Sequence, residues 1–117
     1  MEQTIDQWLQ KLPQALTPGL LKSKYRKLQE QGAHPMTGHC YVACEALHHL
    51  MDKQTEIYFV RHEGDPHWFL KLEGRIVDPT VDQFQTVPKY EHARHAAFLT
   101  KEPSKRARIL MLRLENQ

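Results

Sequence analysis

Between residues 51 and 55 the hydrophobic pattern of this chain changes period from about 3.6 residues to 2. Upstream, Cys40, Cys44, Leu47 and Met51 recur at helical spacing and share one stripe, which Ala43, Ala46 and Leu50 widen. The spacing predicts a central, mostly buried helix over about 38–51, its first turn opening into a cleft. Downstream, Thr55-Glu56-Ile57-Tyr58-Phe59-Val60-Arg61-His62 is rich in β-branched and aromatic residues and reads as a strand. Glu63-Gly64-Asp65-Pro66 reads as a turn, and His67 to Leu72, Glu73-Gly74 and Arg75 to Asp78 read as a hairpin. The expected fold class is therefore α+β, with the central helix on a small antiparallel sheet formed by about 55–62, 66–72 and 75–79.

Within the hairpin the turn length decides which side chains meet. A two-residue Glu73-Gly74 turn sets Leu72 opposite Arg75 and Phe69 opposite Asp78. Alternation then places His67, Phe69, Ile76 and Asp78 on one face, with His67 and Asp78 as diagonal neighbours. A slip of one residue would send Asp78 to the other face.

The flanks are read as helices. Thr4 to Leu12 carries Ile5, Trp8, Leu9 and Leu12 on one stripe and is expected to stop at Pro13. A second helix is expected from Thr17, with Pro18 in its first turn, to Gln31 before Gly32. Tyr90 to Phe98 reads as a short helix. Glu102-Pro103-Ser104-Lys105 to Leu114 reads as another, with Ala107, Leu110, Met111 and Leu114 inward; Ile109 to Leu112 also fits a buried strand, and helix is the preferred reading.

Three residues in this frame carry chemistry. Cys40 opens the central helix, whose N-terminal partial positive charge favours a thiolate there. His67 begins the hairpin and can hold the thiol proton, and Asp78 can fix the imidazole tautomer. Cys40, His67 and Asp78 are thus the candidate catalytic residues of a thiol acyl-transfer site. Asp78 before Pro79 also suits an ordinary turn starter. Cys44, one helical turn deeper, is read as core, and Trp68 as core rather than substrate platform. His39 leaves the helix about 100° from Cys40 and is not expected to act as its base. His48 and His49 suit the helix C-terminus, while His34, His62, His92 and His95 are read as solvated. Asp82 and Gln83 are reserves for the third position, and Gln31 is a weak candidate oxyanion donor beside the Cys40 backbone N–H.

Gly38-His39-Cys40 with Ala43 and Ala46 behind it, His67-Trp68, and Asp78-Pro79-Thr80 together resemble the transglutaminase-like branch of the papain-like cysteine hydrolases. The resemblance covers about residues 37–84. It implies a papain-like or transglutaminase-like core, a Cys–His–Asp triad, and cleavage or transfer at an amide, isopeptide, ester or thioester bond, with a peptide or protein as substrate. The separations of 27 residues from Cys40 to His67 and 11 from His67 to Asp78 are compact for that branch. The string from His39-Cys40-Tyr41 to Gln83-Phe84 is also similar to short phage and bacterial proteins of unassigned activity.

Composition narrows the alternatives. The 117 residues, 40% hydrophobic and 26% charged, suit one soluble domain spanning 1–117. No apolar stretch approaches the roughly 20 residues of a membrane span, and no membrane partner is expected. The polar, acidic start Met1-Glu2-Gln3-Thr4-Ile5-Asp6 is unlike a secretory leader, and two cysteines four apart on one helix make a poor disulfide. Both point to a reducing, cytoplasmic setting.

Charge is uneven despite a net +2. Residues 31–87 carry four basic against eight acidic side chains, and residues 88–117 seven basic against three acidic. Lys101, Lys105, Arg106, Arg108 and Arg113, with the Lys22 to Lys27 cluster, support the competing reading: a non-catalytic binding protein on a hydrolase-like scaffold, with nucleic acid or a protein as partner. Aromatics do not interleave these charges, so stacking on a single strand is poorly supported. Zinc is a rival chemistry through Cys40, Cys44, His39, His48 and His67, but the spacings match no familiar zinc pattern, and neither metal nor cofactor is expected. Phosphate loops, nucleotide fingerprints and Gly-x-Ser-x-Gly elbows are lacking.

Overall fold

The computed structural model describes residues 4–17, 27, 28, 30–32, 39–84 and 86–116. Among them are three α-helices, α1 (Ile5–Ala15), α2 (Cys40–Leu50) and α3 (Lys105–Glu115). Four strands, β1 (Glu56–His62), β2 (Asp65–Leu72), β3 (Arg75–Val77) and β4 (Arg94–His95), pair antiparallel in the order β3-β2-β1-β4. The protein is a small α+β domain.

Helix α1 is nucleated by a capping box. The Thr4 hydroxyl accepts the Gln7 amide at 3.2 Å, and the Gln7 side-chain oxygen accepts the Thr4 amide at 2.8 Å. The helix does not stop at Pro13; it runs on to Ala15. A proline inside a helix removes one backbone hydrogen bond and clashes with the preceding turn. Here it falls in the last turn, and the apolar stripe continues beyond it into buried Ala15 and Leu16, whose amide still reaches the Leu12 carbonyl at 3.2 Å. Burial of those two side chains offsets the loss. The expected helix from Thr17 to Gln31 lies mostly outside the described residues; Lys27, Leu28 and Glu30 are helical, and Gln31 and Gly32 form a turn.

Helix α2 has the expected burial. Ala43, Cys44, Ala46 and Leu47 are wholly inaccessible, while Cys40 at its first position is only partly covered. It packs between α3 and the sheet. Ile5, Trp8 and Leu12 of α1, Leu47 of α2, Leu70 and Val77 of the sheet, and Ala107, Leu110 and Leu114 of α3 share one core. Helix α3 carries the expected apolar stripe, and Ser104 caps it by accepting the Ala107 amide at 3.2 Å.

Both hairpins close on two-residue turns, Glu63-Gly64 and Glu73-Gly74, and all four residues have positive φ, between 52° and 86°. Turns of this primed kind match the twist of the flanking strands and set register tightly. The first turn is thus shorter than the four residues expected, because Asp65 and Pro66 already pair with β1. The second puts Leu72 opposite Arg75 and Leu70 opposite Val77, as expected. Cross-strand partners share a face. Ile57, Phe59, Trp68, Leu70 and Val77 therefore share the face that joins the helix core, and Tyr58, Val60, His67 and Phe69 share the other.

The segment from Tyr90 to Phe98 is not a helix. A single 3-10 turn over Tyr90–His92 leads into β4, which pairs His95 with Tyr58 and Arg94 with Phe59. The free edge of β1 supplies hydrogen-bonding partners that local propensity cannot anticipate.

Candidate active site

His67 and Asp78 meet as the hairpin register requires. The imidazole Nε2–H donates to Asp78 Oδ2 at 2.6 Å, and the two side chains are 2% and 4% exposed, so the contact is shut off from water. Asp78 also organises its own turn: Oδ1 accepts the Thr80 amide at 3.3 Å, while the Gln83 side chain donates to the Thr80 carbonyl and hydroxyl at 3.1 and 2.9 Å. The turn-starter and imidazole-partner readings of Asp78 are both met by one carboxylate. Gln83 braces the turn and Asp82 is exposed, so neither reserve stands against the ring.

A second donor reaches the same carboxylate oxygen. The Tyr90 hydroxyl donates to Asp78 Oδ2 at 2.8 Å, and its ring packs edge-on against Phe69 with centroids 4.9 Å apart. Burial, reinforced by the Asp78 charge, pushes the Tyr90 phenol well above its ordinary range, so it stays a neutral donor. Phe84 presents an edge to His67 at 4.7 Å and to His62 at 4.4 Å. Phe84 thus packs on His67 and Tyr90 bonds Asp78, each from the stretch after β3. Neither was among the sequence candidates, since both lie in the irregular stretch after Asp78, where no period indicates orientation.

Cys40 belongs to the same group. With Nε2 committed to Asp78, the other ring nitrogen of His67, Nδ1, is buried and makes no hydrogen bond. Cys40 stands close enough to this ring to favour its charged form. Burial is the largest single influence on His67 and disfavours its charged form, but Asp78 and Cys40 together outweigh it and raise the imidazole from 6.5 to about 9. The ring therefore carries its proton at neutral pH. Cys44 is wholly buried, and desolvation pushes its thiol well above the ordinary value. It is core, as read from its place on the stripe.

Other histidines take structural places. His39 is inaccessible and donates from Nε2 to the Thr17 carbonyl at 3.0 Å, tying the start of α2 to the end of α1. His48 is hydrogen-bonded to the Thr55 hydroxyl at 2.7 Å. His62, expected in solvent, is largely covered because Phe84 packs on it and Thr86 bonds it at 3.3 Å. His92 and His95 are exposed, His95 resting on Tyr58 with centroids 4.3 Å apart. His34 and Gly38 lie outside the described residues, and Gln31 is exposed in its turn. Trp68 packs on Tyr41, Phe59 and Phe98, which suits its reading as core. Among the described residues no group of three or more His, Cys, Asp or Glu side chains could hold a metal ion together, and no helix is long and apolar enough to cross a membrane.

The buried carboxylate of Glu45 was also missed. Its two oxygens accept the Ser104 amide at 2.8 Å and the Ser104 hydroxyl at 2.7 Å, joining α2 to the cap of α3. Compared with known proteins, the chain matches no family model, no curated protein and no solved structure.

Proposed function

We propose that the protein is a thiol-dependent hydrolase or acyltransferase acting on an amide, isopeptide, ester or thioester carbonyl, with Cys40 as nucleophile, His67 as proton carrier and Asp78 as its orienter. The observation that carries this reading is the buried 2.6 Å His67–Asp78 hydrogen bond, which leaves Nδ1 of a ring influenced by Cys40 without a hydrogen bond. A protonated imidazole beside a thiol favours the thiolate, which is the nucleophilic form. Cys40 Sγ attacks the carbonyl carbon, and His67 passes its proton to the leaving amine, alcohol or thiol as that bond breaks. An acyl group remains on sulfur. Water or an acceptor amine then attacks the thioester and loses its proton to His67 as the C–S bond breaks, releasing Cys40 as the thiolate beside a protonated imidazole. The likeness of Gly38-His39-Cys40, His67-Trp68 and Asp78-Pro79-Thr80 to the transglutaminase-like branch of the papain-like hydrolases supports a peptide or protein substrate and a papain-like core.

The binding-protein reading is weaker. Of the basic residues that motivate it, Arg113 donates to the Ala15 carbonyl and Thr17 hydroxyl at 3.0 and 2.8 Å, and Arg108 to the Pro103 carbonyl at 3.0 Å. Both guanidinium groups are already engaged within the protein.

The test measures turnover on a panel of fluorogenic amides, isopeptides, esters and thioesters. Cys40→Ala and His67→Ala should each reduce turnover by at least about 10³-fold, Asp78→Ala should leave a residue of it, and chelators should have no effect. Activity surviving Cys40→Ala, or lost to a chelator, overturns the mechanism. Independently of substrate, iodoacetamide should alkylate Cys40 in Cys44→Ala protein below pH 7, and His67→Ala should slow that reaction. Inertness until unfolding would make Cys40 a core residue.

A further inference from the structure

We infer that Tyr90 is a positioning residue of this site: by sharing Asp78 Oδ2 with His67, its hydroxyl fixes the carboxylate and tempers the pull of Asp78 on the imidazolium proton. This rests on the proposed Cys40–His67–Asp78 reading and extends it to a fourth side chain.

The geometry is specific. Asp78 Oδ2 accepts two short hydrogen bonds, from His67 Nε2 at 2.6 Å and Tyr90 Oη at 2.8 Å, while Oδ1 has the longer Thr80 amide bond at 3.3 Å. The Tyr90 ring packs edge-on against Phe69, and the residue begins a 3-10 turn in which its amide bonds the Pro88 carbonyl at 3.0 Å. A neutral O–H on a carboxylate oxygen withdraws charge from it. The remaining charge seen by His67 is smaller than an unshared carboxylate would present, so the imidazolium is the better acid toward a leaving group. Too tight a hold on that proton would slow its delivery. The groups acting on the ring are Asp78 after β3 and Cys40 on α2; Tyr90 acts through Asp78, and buried Cys44 faces Cys40 and Asp78.

Tyr90→Phe keeps the ring and removes only the hydroxyl. The experiment follows the His67 imidazole by NMR titration in wild type, Tyr90→Phe, Asp78→Asn and the double variant. Tyr90→Phe should move the His67 midpoint upward by roughly 0.5–1 unit, and the same substitution in the Asp78→Asn background should move it by less than about 0.2 unit, because the effect runs through the carboxylate. On any substrate turned over, kcat should fall several-fold with KM unchanged. An unchanged or lowered midpoint in Tyr90→Phe overturns the inference, as does an equal shift when Asp78 is already Asn. The titration needs no turnover, so the two readings fail separately. A His67 shift without any Cys40-dependent activity would remove the enzyme and leave the Tyr90–Asp78–His67 coupling. Cys40-dependent activity with an unmoved His67 would remove only the role of Tyr90.

Discussion

At the scale of single residues, the charge state of His67 ties the site to stability. Its value in the fold is about 9 against an ordinary 6.5, so the protonated form is favoured by folding. The stabilisation it supplies is fully present below about pH 6.5 and is lost as pH rises through about 9. Urea unfolding at intervals between those values should show a falling free energy, and Asp78→Asn should flatten that slope; a wild-type profile as flat as the variant would disprove the linkage. Cys44 adds its own loss only above the ordinary thiol range, since burial raises it. His48 and His49 act at the opposite end. Burial lowers both, so their contribution is present above about pH 6.5 and fades as pH falls through their depressed values in the fold.

At the scale of elements, the hairpins determine whether the pair exists at all. Gly64 and Gly74 have φ of +86° and +81°, and a Cβ at either would meet no atom within 4 Å. The cost of a side chain there is therefore conformational. Gly74→Ala should destabilise by about 1–2 kcal/mol through the left-handed backbone alone, measured by chemical denaturation. Because the β2–β3 register also aims Asp78, the variant should loosen the His67–Asp78 bond, visible as a lower His67 midpoint in the same titration. The two-residue Glu73-Gly74 turn and the strand alternation were readable from that dipeptide and its flanks, and they are why the 11-residue separation of His67 and Asp78 suffices; the Glu63-Gly64 turn was expected to be four residues long. Pro13 was misread because its helix end depends on what Ala15 and Leu16 bury, which is not a property of the segment itself.

Across the whole molecule, α2 is held from two sides. Its apolar surface packs on the sheet, and buried Glu45 clasps the N-cap of α3 through both carboxylate oxygens. Removing that carboxylate leaves the Ser104 amide and hydroxyl with water as their only recourse in a part-buried setting. Glu45→Ala should cost about 2–3 kcal/mol, read as a lower urea midpoint; an unchanged midpoint would mean that the clasp contributes nothing beyond local packing.

The change of hydrophobic period, the paired residues around Glu73-Gly74 and the apolar stripe behind Cys40 are short-range properties. Sequence alone was therefore enough to establish an α+β chain, a central helix over about 38–51 with Cys40 in its first turn, and a hairpin bringing His67 toward Asp78. Charge and composition could not choose among the eight histidines. Tertiary structure decided that His39 bonds the Thr17 carbonyl and that His62 is covered by Phe84. It also paired β4 with the open edge of β1, and brought Tyr90, 12 residues beyond Asp78, onto the same carboxylate oxygen as His67. Such contacts join segments whose sequences carry no mutual pattern, and they form only because packing of the common core brings those segments together.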